Sequence, residues 1–430
     1  MYHSHLIGGI GGMIKNVELR PGKEVFVSYL PLAHILALQI ENVMLSVGAT
    51  LCYTDPHEMS KALAMYKPTI FGGVPKVYEM LKNGLESKIN AGSPVLRTIF
   101  QTLVSWKMFV LKKGGDTPLS NKFFNLISKK IFGGKLQFAI SGGGPISSDL
   151  LYFARACFNC PVVQGYALTE TCVGGCFQSL EDKRTSIVGP PVSSVELSLQ
   201  SEPEFCDSNG DPYLHTDTKG SKGEAIIGRG EICMRGPSIA AGYYRNPEKT
   251  AEDFDEEGFF HTGDIGQFTE DGVIQIIDRK KNLVKLKGGE YVAVEAMETA
   301  FAGSKYVSAL CVIANGDLDV PLAVVSTNNK ALEKWASNEG ESFKSVDELA
   351  GSEKARKEVV ESMKKEGKKA GLSSLELRIK DCCLITDTEW KPGHGMTASM
   401  KLDRRSIHKI HAKEIEEMYK RNGIKAKPES

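Results

Sequence analysis

Five stretches of this 430-residue chain concentrate residue types that can hold a ligand or manage charge. Ser28-Tyr29-Leu30-Pro31-Leu32-Ala33-His34 ends a β-prone run in a histidine. Ser141-Gly142-Gly143-Gly144-Pro145 follows a second such run. Glycines there let the backbone approach a bound molecule, because no Cβ intervenes. Gly165-Tyr166-Ala167-Leu168-Thr169-Glu170 puts an aromatic ring, a hydroxyl and a carboxylate in one short segment. Gly230-Glu231-Ile232 leads through Gly242-Tyr243-Tyr244 to His261-Thr262-Gly263-Asp264. Asp278-Arg279-Lys280-Lys281 runs on to Lys285-Leu286-Lys287-Gly288-Gly289-Glu290. Singly, each has an ordinary explanation: a turn, a helix start, a solvated lysine face.

Several common signatures fail. The chain has no G-x-x-x-x-G-K-[ST] loop, no G-x-G-x-x-G and no G-x-S-x-G elbow. Cys157-x2-Cys160 and Cys172-x3-Cys176 count as four soft ligands for zinc, but the same spacing suits buried thiols. The ten cysteines show no framework of regular spacings and read as reduced thiols.

The elements that must position these stretches follow from pattern. Residues 25–30, 49–53, 69–72 and 136–140 read as strands, and 59–66 and 77–90 as helices. Strands alternating with helices predict βαβ units and a largely parallel sheet. Residues 95–135 carry Phe100, Trp106, Phe109, Phe123 and Phe124 at helical spacing, with Lys107, Lys112, Lys113, Lys122, Lys129 and Lys130. They form either two amphipathic surface helices or a basic face resting on anionic lipid. Residues 201–223 read as a long exposed loop, and short alternating runs from Gly230 onward predict antiparallel β. A charged helix is expected over 353–369 and a last one over 405–420. The fold class is α/β, with a domain boundary at 278–281.

With 53 basic and 53 acidic residues the formal net charge is zero, which argues against a bulk electrostatic binder of nucleic acid. The apolar fraction of 41% suffices for a core and argues against wholesale disorder. Glycine makes up 43 of the residues, above the usual share of about 7%, so tight turns or close ligand approaches are numerous. No span is apolar enough for a membrane helix, and Met1–His5 does not read as a secretory signal. A cytoplasmic location is the expectation, with peripheral contact to an intracellular membrane such as the endoplasmic reticulum as the alternative carried by 95–135.

Taken together and in order, the five stretches resemble the adenylate-forming superfamily. Ile131-Phe132-Gly133-Gly134-Lys135-Leu136 and the ending Gly395-Met396-Thr397-Ala398-Ser399-Met400-Lys401-Leu402-Asp403-Arg404-Arg405 resemble its long-chain acyl-CoA synthetase branch. The resemblance implies a large αβ domain shortened at its start (1–278), with parallel sheets, helices and a small antiparallel part. It implies a hinge at 279–281 and a mobile α+β domain at 282–430. It implies activation of a fatty acid with ATP and Mg²⁺ to an acyl-adenylate, then thioester formation with coenzyme A.

The same resemblance implies the site. Gly142, Gly143, Gly144 and Pro145 would line the adenine, with Tyr166 stacked on it, and Gly165 would belong to the same AMP- or ATP-binding set. Thr169 would bind a phosphate oxygen and Glu170 the Mg²⁺. Asp264 would accept the ribose hydroxyls, with Arg279 near ribose or phosphate. Lys401 would bridge the carboxylate substrate and the α-phosphate; otherwise it is a surface lysine beside Arg404 and Arg405. Lys281 would sit at the hinge, with Lys285, Gly288 and Gly289 facing the site in the thioester-forming pose. His34 would lie beside the carboxylate, or else cap a helix. Val188 and Gly189 would border the acyl tunnel. The family's phosphate-binding loop is expected just upstream of Met1. Besides the ligase, three readings stand: a non-catalytic acyl-CoA- or AMP-binding paralogue, a fragment lacking that loop, and a different member of the superfamily acting on aryl or amino acids.

Overall fold

The structure, a computed structural model, describes residues 1–387, 390–397 and 401–424. Two compact units divide the chain: Met1–Gln200 with His215–Thr218 and Ala225–Ile276, and Ser201–Leu214 with Lys219–Glu224 and Ile277–Ser430.

The first unit opens with α1 (His3–Asn16), β1 (Val25–Ser28), α2 (Ile35–Ser46), β2 (Thr50–Tyr53), α3 (Met59–Tyr66) and β3 (Ile70–Gly73). There follow α4 (Pro75–Asn90), α5 (Pro94–Lys112), α6 (Pro118–Phe132), β4 (Phe138–Ser141), α7 (Ser148–Phe158), β5 (Val162–Tyr166) and β6 (Cys176–Phe177). They form one sheet in the order β2-β1-β3-β4-β5-β6, parallel except for the last pair. Every residue of β3 and β4 is buried, as expected for parallel strands covered on both faces. Phe71, Phe132 and Phe158 pack on one face beneath α3, α4, α6 and α7, with ring centroids 5.3 and 4.7 Å apart. Met13, Ile40, Val43 and Met44, from α1 and α2, cover the other.

Helix α5 buries Phe100 and Val104 and leaves Val95, Ile99, Trp106 and Phe109 exposed at helical spacing. The basic count of this region shrinks on folding. Lys107 is buried over the Phe124 ring, 4.4 Å from its centroid, and desolvation lowers its pKa to about 8. Lys112 pairs with Asp149 at 2.6 Å. Among the described residues no helix is long and apolar enough to cross a membrane.

Next along the chain come β7 (Glu196–Gln200), β8 (Glu202–Cys206), β9 (Pro212–Tyr213), β10 (Ile226–Arg235), α8 (Pro247–Asp253), β11 (Phe260–Thr269) and β12 (Ile274–Arg279). An antiparallel sheet runs β12-β11-β10-β7. Residues 201–223 are largely exposed, as their polar, turn-forming residues predict, but they are not all loop: strands β8 and β9 pair in the second unit. Asp207 closes the hairpin by accepting from the Asn209 and Asp211 amides at 2.9 and 3.1 Å. Tyr291 donates to the Glu204 carbonyl at 3.0 Å.

The second unit continues with β13 (Leu283–Lys285), β14 (Tyr291–Ala293), α9 (Val294–Phe301), β15 (Val307–Ile313), β16 (Leu322–Thr327), α10 (Asn329–Asn338) and α11 (Val346–Gly351). It ends with α12 (Glu353–Ala370), β17 (Cys382–Ile385), β18 (Lys391–Pro392), β19 (Gly395–Met396), α13 (Arg404–Ile410) and α14 (Ala412–Arg421). Sheet β15-β16-β17 carries α9 and α12 on one apolar cluster, and α13 and α14 on another. The single helix expected at 405–420 breaks at His411, whose Nε2 accepts from the Trp390 indole at 3.0 Å. The molecule is thus α/β, with helices on a parallel sheet and separate antiparallel sheets.

Candidate active site

In the parallel sheet, loops at the carboxyl ends of β1, β3, β4 and β5 lie on one edge, the edge where open α/β sheets bind ligands. Four of the sequence stretches contribute to these loops or to the antiparallel sheet of the same unit. His34 follows β1 and caps α2, its Nδ1 accepting from the Leu36 amide at 3.2 Å. The loop after β4 begins with Gly142, whose amide donates to the Gly73 carbonyl at 3.1 Å. A Cβ on Gly142 would stand 3.5 Å from the Gly165 carbonyl and 4.0 Å from Leu36. The start of the glycine-rich loop therefore lies close to the end of β5 and to the start of α2. Gly143 has φ +82°, open to glycine at little strain, and Ser147 caps α7 just beyond.

Tyr166, at the end of β5, donates its hydroxyl to Asp264 Oδ2 at 2.6 Å. Burial and the adjacent carboxylate push the phenol well above its ordinary pKa, so it stays a donor at neutral pH. Asp264 itself is 2% exposed. Thr169 is exposed and Glu170 half-buried. Glu170 Oε1 accepts from the Tyr243 hydroxyl at 3.0 Å, and Tyr243 also reaches Asp253 at 2.9 Å. Just past this segment Cys172 and Val173 hold φ of 49° and 61°, strained for side chains with a Cβ.

Gly189 has φ +92°, and a Cβ there would sit 2.2 Å from the Phe177 carbonyl. Its size answers to backbone packing. The Val188 amide donates to Ile274 and the Ile274 amide returns to Gly189. An apolar pocket opens between α1, α2 and the sheet, lined by Met13, Val17, Ile40, Met44, Phe138 and Ile140. The helix that His34 caps thus also walls this pocket.

Arg279, Lys281, Lys285, Gly288, Gly289 and Lys401 belong to the second unit. Lys281 and Lys285 are exposed, and the Lys285 ammonium lies 5.6 Å from the Tyr291 ring centroid. Gly289, at φ +94°, turns the hairpin between β13 and β14. Ala398, Ser399 and Met400 of the C-terminal signature lie outside the described residues. Around them, the Thr397 amide donates to the Lys401 carbonyl at 2.8 Å and the Lys401 amide to Thr397 Oγ1 at 3.2 Å. Arg404 anchors the segment through two bonds to the buried Glu298, at 2.7 and 2.8 Å.

Asp278 precedes Arg279 and is buried. It accepts from the Arg279 amide at 2.7 Å and from Asn282 at 3.0 Å. Burial nevertheless dominates, with Glu295 adding to it, and the carboxyl is pushed up to about 6. Its folded pKa lies above the ordinary 3.8, so between these values the folded chain retains a proton that the unfolded chain has lost. The stability Asp278 contributes is present at acid pH and lost as pH rises through about 6. Over that window the loss is up to about 3 kcal/mol at about 1.36 kcal/mol per pKa unit. Denaturant unfolding of wild type and Asp278→Asn at several pH values checks this, because the variant is expected to show a flatter stability profile.

Glu231, Tyr243 and Thr262 lie in the Gly230–Ile232, Gly242–Tyr244 and His261–Asp264 stretches, but nothing in the sequence marks them for a role. Their side chains face the assigned residues only after β10, β11 and α8 come together.

Fatty acyl-CoA synthetase B of Dictyostelium discoideum is 34% identical over 92% of the chain and 57% of its own length. Long chain acyl-CoA synthetase 4 of Arabidopsis thaliana is 35% identical over 96% of the chain and 61% of its own length. The chain thus spans about three-fifths of these curated relatives. Among solved structures, the A domain of carboxylic acid reductase from Segniliparus rugosus, in complex with AMP and a co-purified carboxylic acid, superposes with a TM-score of 0.72. It is 24% identical, over 97% of this chain and 59% of that one. A model of the family described as AMP-binding enzyme matches residues 2–244, more than half of the chain, and with these findings the chain belongs to the AMP-binding, adenylate-forming family.

Proposed function

We propose that the protein activates a long-chain fatty acid. The acid's carboxylate oxygen attacks the α-phosphorus of ATP, and pyrophosphate leaves. The sulfur of coenzyme A then attacks the acyl carbon, and AMP leaves as the thioester forms. One observation carries the reading: the buried Asp264, hydrogen-bonded by the half-buried Tyr166, in the same unit as the Gly142–Gly144 loop at the carboxyl edge of a parallel sheet. Family membership and relatives named as long-chain synthetases, at 34–35% identity, support it.

In this reading Gly142, Gly143, Gly144, Pro145 and Gly165 accept the flat adenine and Tyr166 supplies an aromatic face. Asp264 accepts the ribose hydroxyls, with Arg279 at ribose or phosphate. Thr169 donates to a phosphate oxygen. Glu170 suits Mg²⁺, a hard cation commonly held by one or two carboxylates plus substrate phosphates, and Tyr243 fixes the orientation of its carboxylate. Bound there, Mg²⁺ would neutralise phosphate charge. Lys401 bridges the reacting carboxylate and the α-phosphate. Lys281 serves as hinge, and Lys285, Gly288 and Gly289 accommodate the coenzyme A arm. His34, Val188 and Gly189 border the acyl group.

Binding of acyl-sulfamoyl-adenosines of graded chain length tests the reading, because these mimic the acyl-adenylate and need no β- or γ-phosphate contact. Each buried methylene contributes about 0.8 kcal/mol. The palmitoyl compound is therefore expected to bind at least about 100-fold more tightly than the acetyl one. A preference for an aryl or aminoacyl compound, or no dependence on length, would overturn it.

A further inference from the structure

Strands β10 and β11 pair out of step where Asp264 sits. Cys233 pairs with His261, and Glu231 pairs with Ile265. Ile232 alone on β10 therefore faces Thr262, Gly263 and Asp264 on β11, so two extra residues bulge from the sheet. Such bulges re-aim side chains beside active sites, but they also leave ladder groups unpaired. Here side chains take up those groups. The Gly263 amide donates to Glu231 Oε1 at 2.8 Å. The Asp264 amide donates to Thr262 Oγ1 at 3.1 Å, and that hydroxyl donates to the Ile232 carbonyl at 2.7 Å. Gly263 takes φ +71°, which glycine adopts without strain.

Glu231 is 3% exposed and is held in turn. Its Oε2 lies 3.1 Å from His261 Nδ1, and the other ring nitrogen lies 3.4 Å from Asp255 Oδ2. Cys233 Sγ is 3.5 Å from the same Nδ1. Glu231, Cys233 and His261 thus bring three metal-competent atoms within 4.8 Å of one another. The ring nitrogen both others face is already hydrogen-bonded to Glu231, so the trio is better explained as a clamp on the bulge.

We infer that Glu231 and Thr262 are positioning residues for nucleotide recognition. Through Gly263 and the Asp264 amide they hold the bulge in the one conformation that aims the Asp264 carboxylate at a ribose diol. His261 and Asp255 keep the Glu231 carboxylate in place. The inference rests on the assignment of Asp264 to the ribose in the proposed function.

The test compares calorimetric affinities for AMP and 2′-deoxy-AMP, a ratio that reads the ribose contact and that loss of folded protein does not move. Wild type is expected to prefer AMP by about tenfold, one charge-assisted hydrogen bond's worth. Glu231→Ala and Thr262→Val are expected to lose most of that preference, and Glu231→Gln, which keeps an acceptor for the Gly263 amide, to retain it. The conservative Thr262→Val change serves as the reading if Glu231→Ala does not fold. A wild type that does not prefer AMP overturns the assignment of Asp264 to ribose. A wild type that prefers AMP, with Thr262→Val and folded Glu231→Ala preferring it equally, overturns the inference alone.

Discussion

Lys401→Ala is expected to slow acyl-adenylate formation by about 10²–10³-fold, the cost typical of removing one fixed donor aimed at developing oxyanion charge. Among the described residues, the backbone next to Lys401 is hydrogen-bonded. Thr397 bonds to it in both directions, the Asp403 amide donates to the Gly395 carbonyl at 3.0 Å, and Arg404 is tied to Glu298. Lys401 is exposed, so thermal stability is expected to change little in the variant. Lys401→Arg keeps the charge but presents a planar fork in place of a compact ammonium, and partial activity is expected. Single-turnover formation of the adenylate, read by pyrophosphate release with palmitate, checks both. A Lys401→Ala rate within about threefold of wild type would remove Lys401 from the chemistry, since such a donor is worth far more.

Asp264→Ala is expected to weaken AMP binding by about 100-fold or more. Charge-assisted hydrogen bonds contribute roughly 1.5–3 kcal/mol each, and the reading gives Asp264 two of them to ribose. A second cost arises in the protein itself. The Tyr166 hydroxyl loses the acceptor it reaches at 2.6 Å, and a half-buried phenol without a partner is penalised. Asp264→Asn separates the two effects, because the amide oxygen can still accept from Tyr166 while the charge is gone. The asparagine variant is expected to unfold near the wild-type temperature and still bind AMP poorly. Calorimetry for AMP, beside thermal unfolding of both variants, gives the comparison. AMP affinity in Asp264→Asn equal to that of wild type would mean that the carboxylate does not meet the ribose.

Some of this protein could be read without its coordinates. Strands at 69–72 and 136–140, flanked by helical spacing, announced a parallel sheet, because an alternation of apolar runs and amphipathic periods has few other solutions. Gly142–Gly144 stood out because a glycine run after a buried strand has few uses. Lys107 shows the opposite case: by type it belonged to a basic face, and packing over Phe124 buried it. His411 interrupts a periodicity that gave no sign of a break, because its partner, Trp390, is distant in sequence.

What the sequence determined by itself is local and periodic: strand and helix order, the glycine turns and the candidate list of chemistry-bearing residues. What only the tertiary structure decided is which of them meet. Tyr166 and Asp264 are 98 positions apart, Glu170 and Tyr243 are 73, and Glu231 and Gly263 are 32. No spacing rule connects residues so far apart, because their distance is set by strand pairing and by a register shift between β10 and β11. A hydrogen bond needs its atoms within about 3 Å, and only the packed sheet fixes positions that closely.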